Sequence, residues 1–143
     1  MLSDEKLIIG LGNILLKDEG IGVRCVEYIK SKGLGKGIKI VDGATIGYDL
    51  LEEIKGFRKV VLVDAVDMGK EAGSISLLNK DKLGETGLYT THNTPLKVFV
   101  DYLFSETGSD IFLIGIQPAS LEFGKGLSDK VNKTVDCLAD ILS

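Results

Sequence analysis

The chain has 143 residues and 15.4 kDa, with 17 basic and 21 acidic side chains, one histidine and a formal charge of −4. That length predicts one domain, 1–143, which buries roughly two-thirds of its surface on folding, enough for a core without disulfide or structural metal. The pI near 5.0 and the dispersed basic residues argue against nucleic acid or an anionic membrane as partner, and 44% apolar residues with two prolines exclude disorder and collagen-like structure.

Met1-Leu2-Ser3-Asp4-Glu5-Lys6 carries two acids where a signal peptide carries net positive charge. No apolar stretch approaches the ~18 residues of a membrane span. A cytoplasmic protein with no membrane contact is expected.

Lys6-Leu7-Ile8-Ile9-Gly10-Leu11-Gly12 reads as a short buried strand breaking on glycine. From Glu19 to about Lys32, Ile21, Cys25 and Ile29 recur at the spacing of an amphipathic helix. The alternation repeats as a strand over Ile38-Lys39-Ile40-Val41, a short helix from about Tyr48 to Ile54, and a strand over Val60-Val61-Leu62-Val63. Successive βα units imply a mainly parallel sheet with helices on both faces.

Ser74-Ile75-Ser76-Leu77-Leu78 predicts a further strand. Gly69 to Gly73 leaves no room for a crossover helix, so this strand is expected to run antiparallel. Thr94-Pro95 predicts a helix start, threonine as N-cap and proline first in the helix, followed by Leu96, Phe99, Val100 and Leu103 at i, i+3, i+4 and i+7. A last strand, Ile111-Phe112-Leu113-Ile114-Gly115-Ile116, leads through Gln117-Pro118 to a closing helix with Leu127, Val131, Val135, Leu138 and Leu142. The expected fold is therefore α/β, a single three-layer domain with about five strands, one of them antiparallel. Cys25 and Cys137 lack any C-x-x-C spacing, and both are expected as inert core thiols.

In such a sheet, ligands bind beyond the carboxyl ends of the parallel strands. The first strand runs into Asn13 and the pair Asp18-Glu19, the second ends on Asp42, and the third ends on Asp64 with Asp67 close behind. Gathering like charges uncompensated is costly, and a cation from outside removes the cost. His92 lies in the loop before a later helix and can reach the same edge, making a site of two carboxylates and one imidazole that suits nickel, zinc or iron. Each residue also has a structural reading. Asp18 suits a cap for the helix beginning at Glu19, Asp42 and Asp67 suit turns, and a loop histidine suits a surface or capping role. Gly10-Leu11-Gly12 begins a dinucleotide-type turn, but Leu15 occupies its third glycine position.

Gly10-Leu11-Gly12-Asn13-Ile14-Leu15-Leu16-Lys17-Asp18-Glu19-Gly20-Ile21-Gly22 closely resembles the opening signature of the hydrogenase maturation endopeptidases, G-x-G-N-x-L-x-x-D-[DE]-x-x-G. The resemblance continues through Asp42-Gly43-Ala44-Thr45, Val61 to Val66, Thr91-His92-Asn93 and Gly115-Ile116-Gln117-Pro118. It implies an aspartic-type endopeptidase that removes a C-terminal extension from the large-subunit precursor of a nickel-iron hydrogenase. It further implies that Glu19, Asp64 and His92 contact the nickel carried by the precursor, and that Asp42 belongs to the same site, with Asp42 or Asp64 as the base that activates water. The protein is expected to act as a monomer and to hold no tight metal of its own. The rival readings are a non-cleaving assembly factor using the same ligands and a nucleotide-binding α/β domain.

Overall fold

A computed structural model describes residues 2–33, 37–43, 50–79 and 95–142. The strands are β1 (Ser3–Gly10), β2 (Ile38–Asp42), β3 (Phe57–Ala65), β4 (Ile75–Leu78) and β5 (Asp110–Ile116). The helices are α1 (Ile21–Ser31), α2 (Leu50–Ile54), α3 (Leu96–Thr107) and α4 (Asp129–Leu142), with a short 3-10 turn, Lys17–Gly20, between β1 and α1.

The five strands form one sheet in the order β2-β1-β3-β5-β4. β2, β1, β3 and β5 run parallel, and β4 pairs with β5 antiparallel, as the missing crossover helix required.

Alternation along the central strands feeds two cores, because successive side chains of a strand point to opposite faces. Leu7 and Ile9 of β1, Val60 and Leu62 of β3, and Ile111 and Leu113 of β5 pack with Ile54 of α2 and with Leu96, Val100 and Leu103 of α3. Ile8, Val63, Ala65, Ile114 and Ile116 point the other way, against Ile21, Cys25, Val26 and Ile29 of α1 and Val131, Val135 and Leu138 of α4. The three layers are thus α2/α3, the sheet, and α1/α4. Among the described residues no helix is long and apolar enough to cross a membrane.

Several local expectations change. The first helix begins at Ile21, not Glu19, because Lys17–Gly20 winds as a 3-10 turn. Pro95 occupies the N-cap of α3 with extended backbone (φ −56°, ψ 129°), so the helix starts one residue later than its Thr-Pro signal indicated. Thr94 itself, like Tyr48 at the expected start of the second helix, lies outside the described residues. Cys25 is a buried core thiol as expected, whereas Cys137 is exposed. Cys137 directly precedes the buried Leu138 on α4, and neighbouring positions of a helix do not share a face.

Candidate active site

The carboxyl ends of the first three strands lie side by side. Gly10, the last residue of β1, stands in register with Asp42 on β2 and with Val63 on β3. The chain leaving β1 passes through α1 to β2 on one side, while the chain leaving β3 runs to the other side, through β4 and α3 to β5. The crevice between β1 and β3 is therefore the topological switch point of the sheet, where open α/β folds bind ligands.

Asp64 is the penultimate residue of β3 and is half-buried. Its Oδ1 accepts the N–H of Ala65 at 2.8 Å. Glu19, on the 3-10 turn, is buried, with 4% of its surface exposed. The two meet across Gly12. A Cβ placed on Gly12 would stand 1.8 Å from the Glu19 carbonyl oxygen and 3.5 Å from Asp64 Oδ1. Gly12 also has φ +121°, a backbone state that favours glycine. The second glycine of the opening motif thus lets the Glu19 main chain and the Asp64 carboxylate close on the same point. Burial pushes the Asp64 carboxyl up to about 7, against the opposing hydrogen bond from Ala65, and the nearby charge of Glu19 raises it further.

The remaining motif glycines are occupied by protein. A Cβ on Gly10 would fall 2.1 Å from the Gly22 carbonyl oxygen, and one on Gly22 would fall 2.1 Å from the Val63 carbonyl oxygen. These positions let α1 lie directly on β1 and β3.

Asp18 does not cap the helix that follows it. No side-chain hydrogen bond caps either the 3-10 turn or α1. Its carboxylate is fully buried and accepts the N–H groups of Ala119 (2.7 Å) and Ser120 (2.9 Å), and the N–H and hydroxyl of Ser128 (both 2.7 Å). Burial alone would raise the Asp18 carboxyl, but the hydrogen bonds from Ser128, Ser120 and Ala119 together hold it below the usual aspartate value. The turn preceding it is strained as well. Among the described residues Lys17 is the one non-glycine with positive φ, at 45°.

Asp67 serves the turn after β3, its Oδ1 accepting from the Gly69 N–H and from Gln117 Nε2, each at 3.1 Å. Sequence reasoning gave Gln117 no role. This buried side chain accepts the Met68 and Lys70 N–H groups at 2.6 and 3.2 Å and so fixes the loop beyond β3 at the binding edge. Its signal was its place at the end of the last parallel strand, beside Pro118.

Of the expected site residues, Glu19 and Asp64 are thus brought together, and Asp42 ends the neighbouring strand. His92 lies outside the described residues. Among the described residues no group of three or more His, Cys, Asp and Glu side chains forms a metal-holding cluster.

The family model HycI, hydrogenase maturation protease, matches residues 23–143. The chain belongs to the hydrogenase maturation protease family. The Hydrogenase 3 maturation protease of Escherichia coli K12 is 30% identical over 132 residues, covering 91% of this chain and 83% of that protein. Among solved structures, a nickel-iron hydrogenase maturation protease HycI from Thermococcus kodakarensis matches with a TM-score of 0.79 at 30% identity, covering 97% of this chain and 90% of the other. A crystal structure of the Hydrogenase 3 maturation protease matches with a TM-score of 0.81 at 26% identity, covering 96% and 88%. Within this protease family the five-stranded sheet of the present chain is the shared scaffold. The family match takes in Asp42, Asp64 and His92, while Glu19 lies ahead of it in the opening motif.

Proposed function

We propose that this protein is an aspartic-type endopeptidase that removes the C-terminal extension of a nickel-iron hydrogenase large-subunit precursor, and that it recognises the nickel already seated in that precursor. It acts as a monomer in the cytoplasm. The observation that carries this reading is the convergence at Gly12, on the switch point, of the Glu19 main chain and the Asp64 carboxylate, with the Glu19 charge acting on Asp64. The Glu19 charge acts unfavourably on the Asp64 carboxylate, and such like charges are relieved by a divalent cation. His92 is the third contact in this reading, giving a carboxylate and imidazole set of the kind nickel accepts.

In this mechanism the nickel is part of the substrate. Its docking holds the scissile peptide in the crevice, which converts recognition into alignment. A carboxylate of the edge, Asp42 or Asp64, takes a proton from water as the water oxygen adds to the scissile carbonyl. The C–N bond then breaks, and the proton passes to the departing amine.

The test is the intact mass of a nickel-loaded precursor after incubation with the protein, run beside a nickel-free precursor and beside His92→Ala and Glu19→Gln variants. Loss of a C-terminal peptide only with nickel, and only with both side chains present, is the expected result. Cleavage of the nickel-free precursor at the same rate would refute nickel recognition. An uncut precursor that nevertheless co-purifies with the protein would establish a non-cleaving assembly factor instead.

A further inference from the structure

The paired acids of the opening motif are neighbours on the 3-10 turn, and protein donors fully engage the carboxylate of the first, Asp18. Adjacent residues on a 3-10 turn project about 120° apart. The Glu19 main chain closes on Gly12 beside Asp64 Oδ1, whereas the Asp18 carboxylate is spent on protein donors. Oδ2 accepts from Ala119 N–H, Ser120 N–H and the Ser128 hydroxyl, and Oδ1 accepts from Ser128 N–H. A carboxylate offers about four acceptor positions, so these donors account for it without any ligand.

These bonds tie three distant parts of the chain. Ala119 and Ser120 follow β5, and Ser128 directly precedes α4, where its carbonyl accepts the Asn132 N–H at 2.8 Å. Main-chain contacts run along the same seam. The Asp18 N–H donates to the Ser120 carbonyl at 3.0 Å, Lys17 N–H to Gly124 at 3.1 Å, and Gly124 N–H to Leu15 at 2.8 Å. The next residue, Glu19, is held from both sides, its N–H donating to the Leu16 carbonyl at 3.1 Å and its own carbonyl packed on Gly12.

We propose that Asp18 is a positioning residue for Glu19: by clamping the 3-10 turn to the 119–128 loop and the start of α4, it fixes where Glu19 meets Asp64. The Glu19 contact to substrate nickel rests on the function proposed above, whereas the clamp and its effect on Glu19 do not. Asp18 itself touches no substrate. The positive φ at Lys17 fits this arrangement, because a strained turn persists only where its surroundings over-determine it.

The test compares wild type, Asp18→Asn and Ser128→Ala, each with Glu19 intact and with Glu19→Gln, in steady-state cleavage of a nickel-loaded precursor. Asn keeps the shape but turns an amide toward donors. Ser128→Ala removes one hydroxyl bond, leaves the charge, and serves as the milder variant should Asp18→Asn fold poorly. With Glu19 intact, Asp18→Asn is expected to raise KM about tenfold with a smaller change in kcat, and Ser128→Ala to move KM the same way by about threefold. With Glu19→Gln in place, both effects should largely vanish, since the side chain being positioned is no longer the ligand. Equal effects in both backgrounds would show general destabilisation and overturn the proposal.

A second readout needs no precursor. Exchange of the Glu19 amide should quicken about tenfold in Asp18→Asn while the Leu62 and Leu113 amides in the sheet centre keep their wild-type rates. Unchanged Glu19 exchange would overturn the proposal. If the wild-type protein leaves the precursor uncut, the proposed function fails by itself, and this exchange measurement still decides the role of Asp18.

Discussion

Gly22 lies on α1 at the point where the helix rests on the sheet, and replacing it with alanine tests the packing that places the site. A helical Gly→Ala change gains about 0.4–1 kcal/mol from backbone entropy and propensity when space allows. Here the new Cβ would sit 2.1 Å from the Val63 carbonyl oxygen, 2.5 Å from the Leu11 carbonyl oxygen and 2.8 Å from the Leu11 nitrogen. Restoring an ordinary contact of 3.4 Å means withdrawing α1 by about 1.3 Å. All three obstacles are backbone atoms, of Val63 on β3 and of Leu11 just beyond β1, and two of them share the 2.8 Å Leu11–Val63 hydrogen bond, so no side-chain rotation relieves the clash. Overpacking costs about 1–3 kcal/mol and more when the backbone must move, and a broken hydrogen bond adds about 1 kcal/mol. After subtracting the helix gain, Gly22→Ala should destabilise by about 3 kcal/mol. Unfolding entropy of about 2.1 cal/mol/K per residue then places Tm about 10 °C below wild type. Thermal melts followed by circular dichroism read this directly. A Tm equal to or above that of wild type would refute the claim that close approach, and not helix propensity, governs this position.

The Asp18 carboxyl is held below its usual value in the folded protein, so its stabilisation is present above the unfolded value near 3.8 and is lost as pH falls through the folded value. The stability gap between wild type and Asp18→Asn in urea titrations should therefore be full at pH 7 and narrow below about pH 4. A gap as wide at pH 2.5 as at pH 7 would contradict the hydrogen-bonded carboxylate. Burial pushes the Cys25 thiol up to about 12, whereas Cys137 is exposed, so an alkylating reagent at pH 8 should label Cys137 alone, as peptide mass mapping would show. Modification of Cys25 in the native protein would place it outside the core. Gln117→Leu should cost about 2 kcal/mol, because it leaves the Met68 and Lys70 N–H groups without their acceptor. A denaturation midpoint unchanged from wild type would show that these amides find water or other partners.

Much of the architecture was legible because periodicity reports burial directly. The alternating Leu7-Ile8-Ile9 and Val60 to Val63 had to lie between two apolar layers, and the short Gly69 to Gly73 connection forced β4 to run antiparallel. Glu19 and Asp64 were legible as candidates because strand-end position and the resemblance of the opening motif both pointed to them. Boundaries were less clear, since Glu19 reads as the first residue of the helix yet lies on the 3-10 turn Lys17–Gly20, which is bonded to the 119–128 loop.

The sequence by itself determined the α/β class, the strand and helix faces, the parallel core and the acids available at its carboxyl edge, since these follow from local pattern and chain connectivity. Tertiary structure alone decided that Asp18 fastens distant loops while the Glu19 main chain closes on Gly12 beside Asp64, that Gln117 braces the loop after β3, and that Gly10, Gly12 and Gly22 serve close backbone contact. Hydrogen-bond partners a hundred residues away, such as Asp18 with Ala119 and Ser128, leave no spacing signal in a single chain. They exist only once the sheet has brought the ends of β1 and β5 to the same edge.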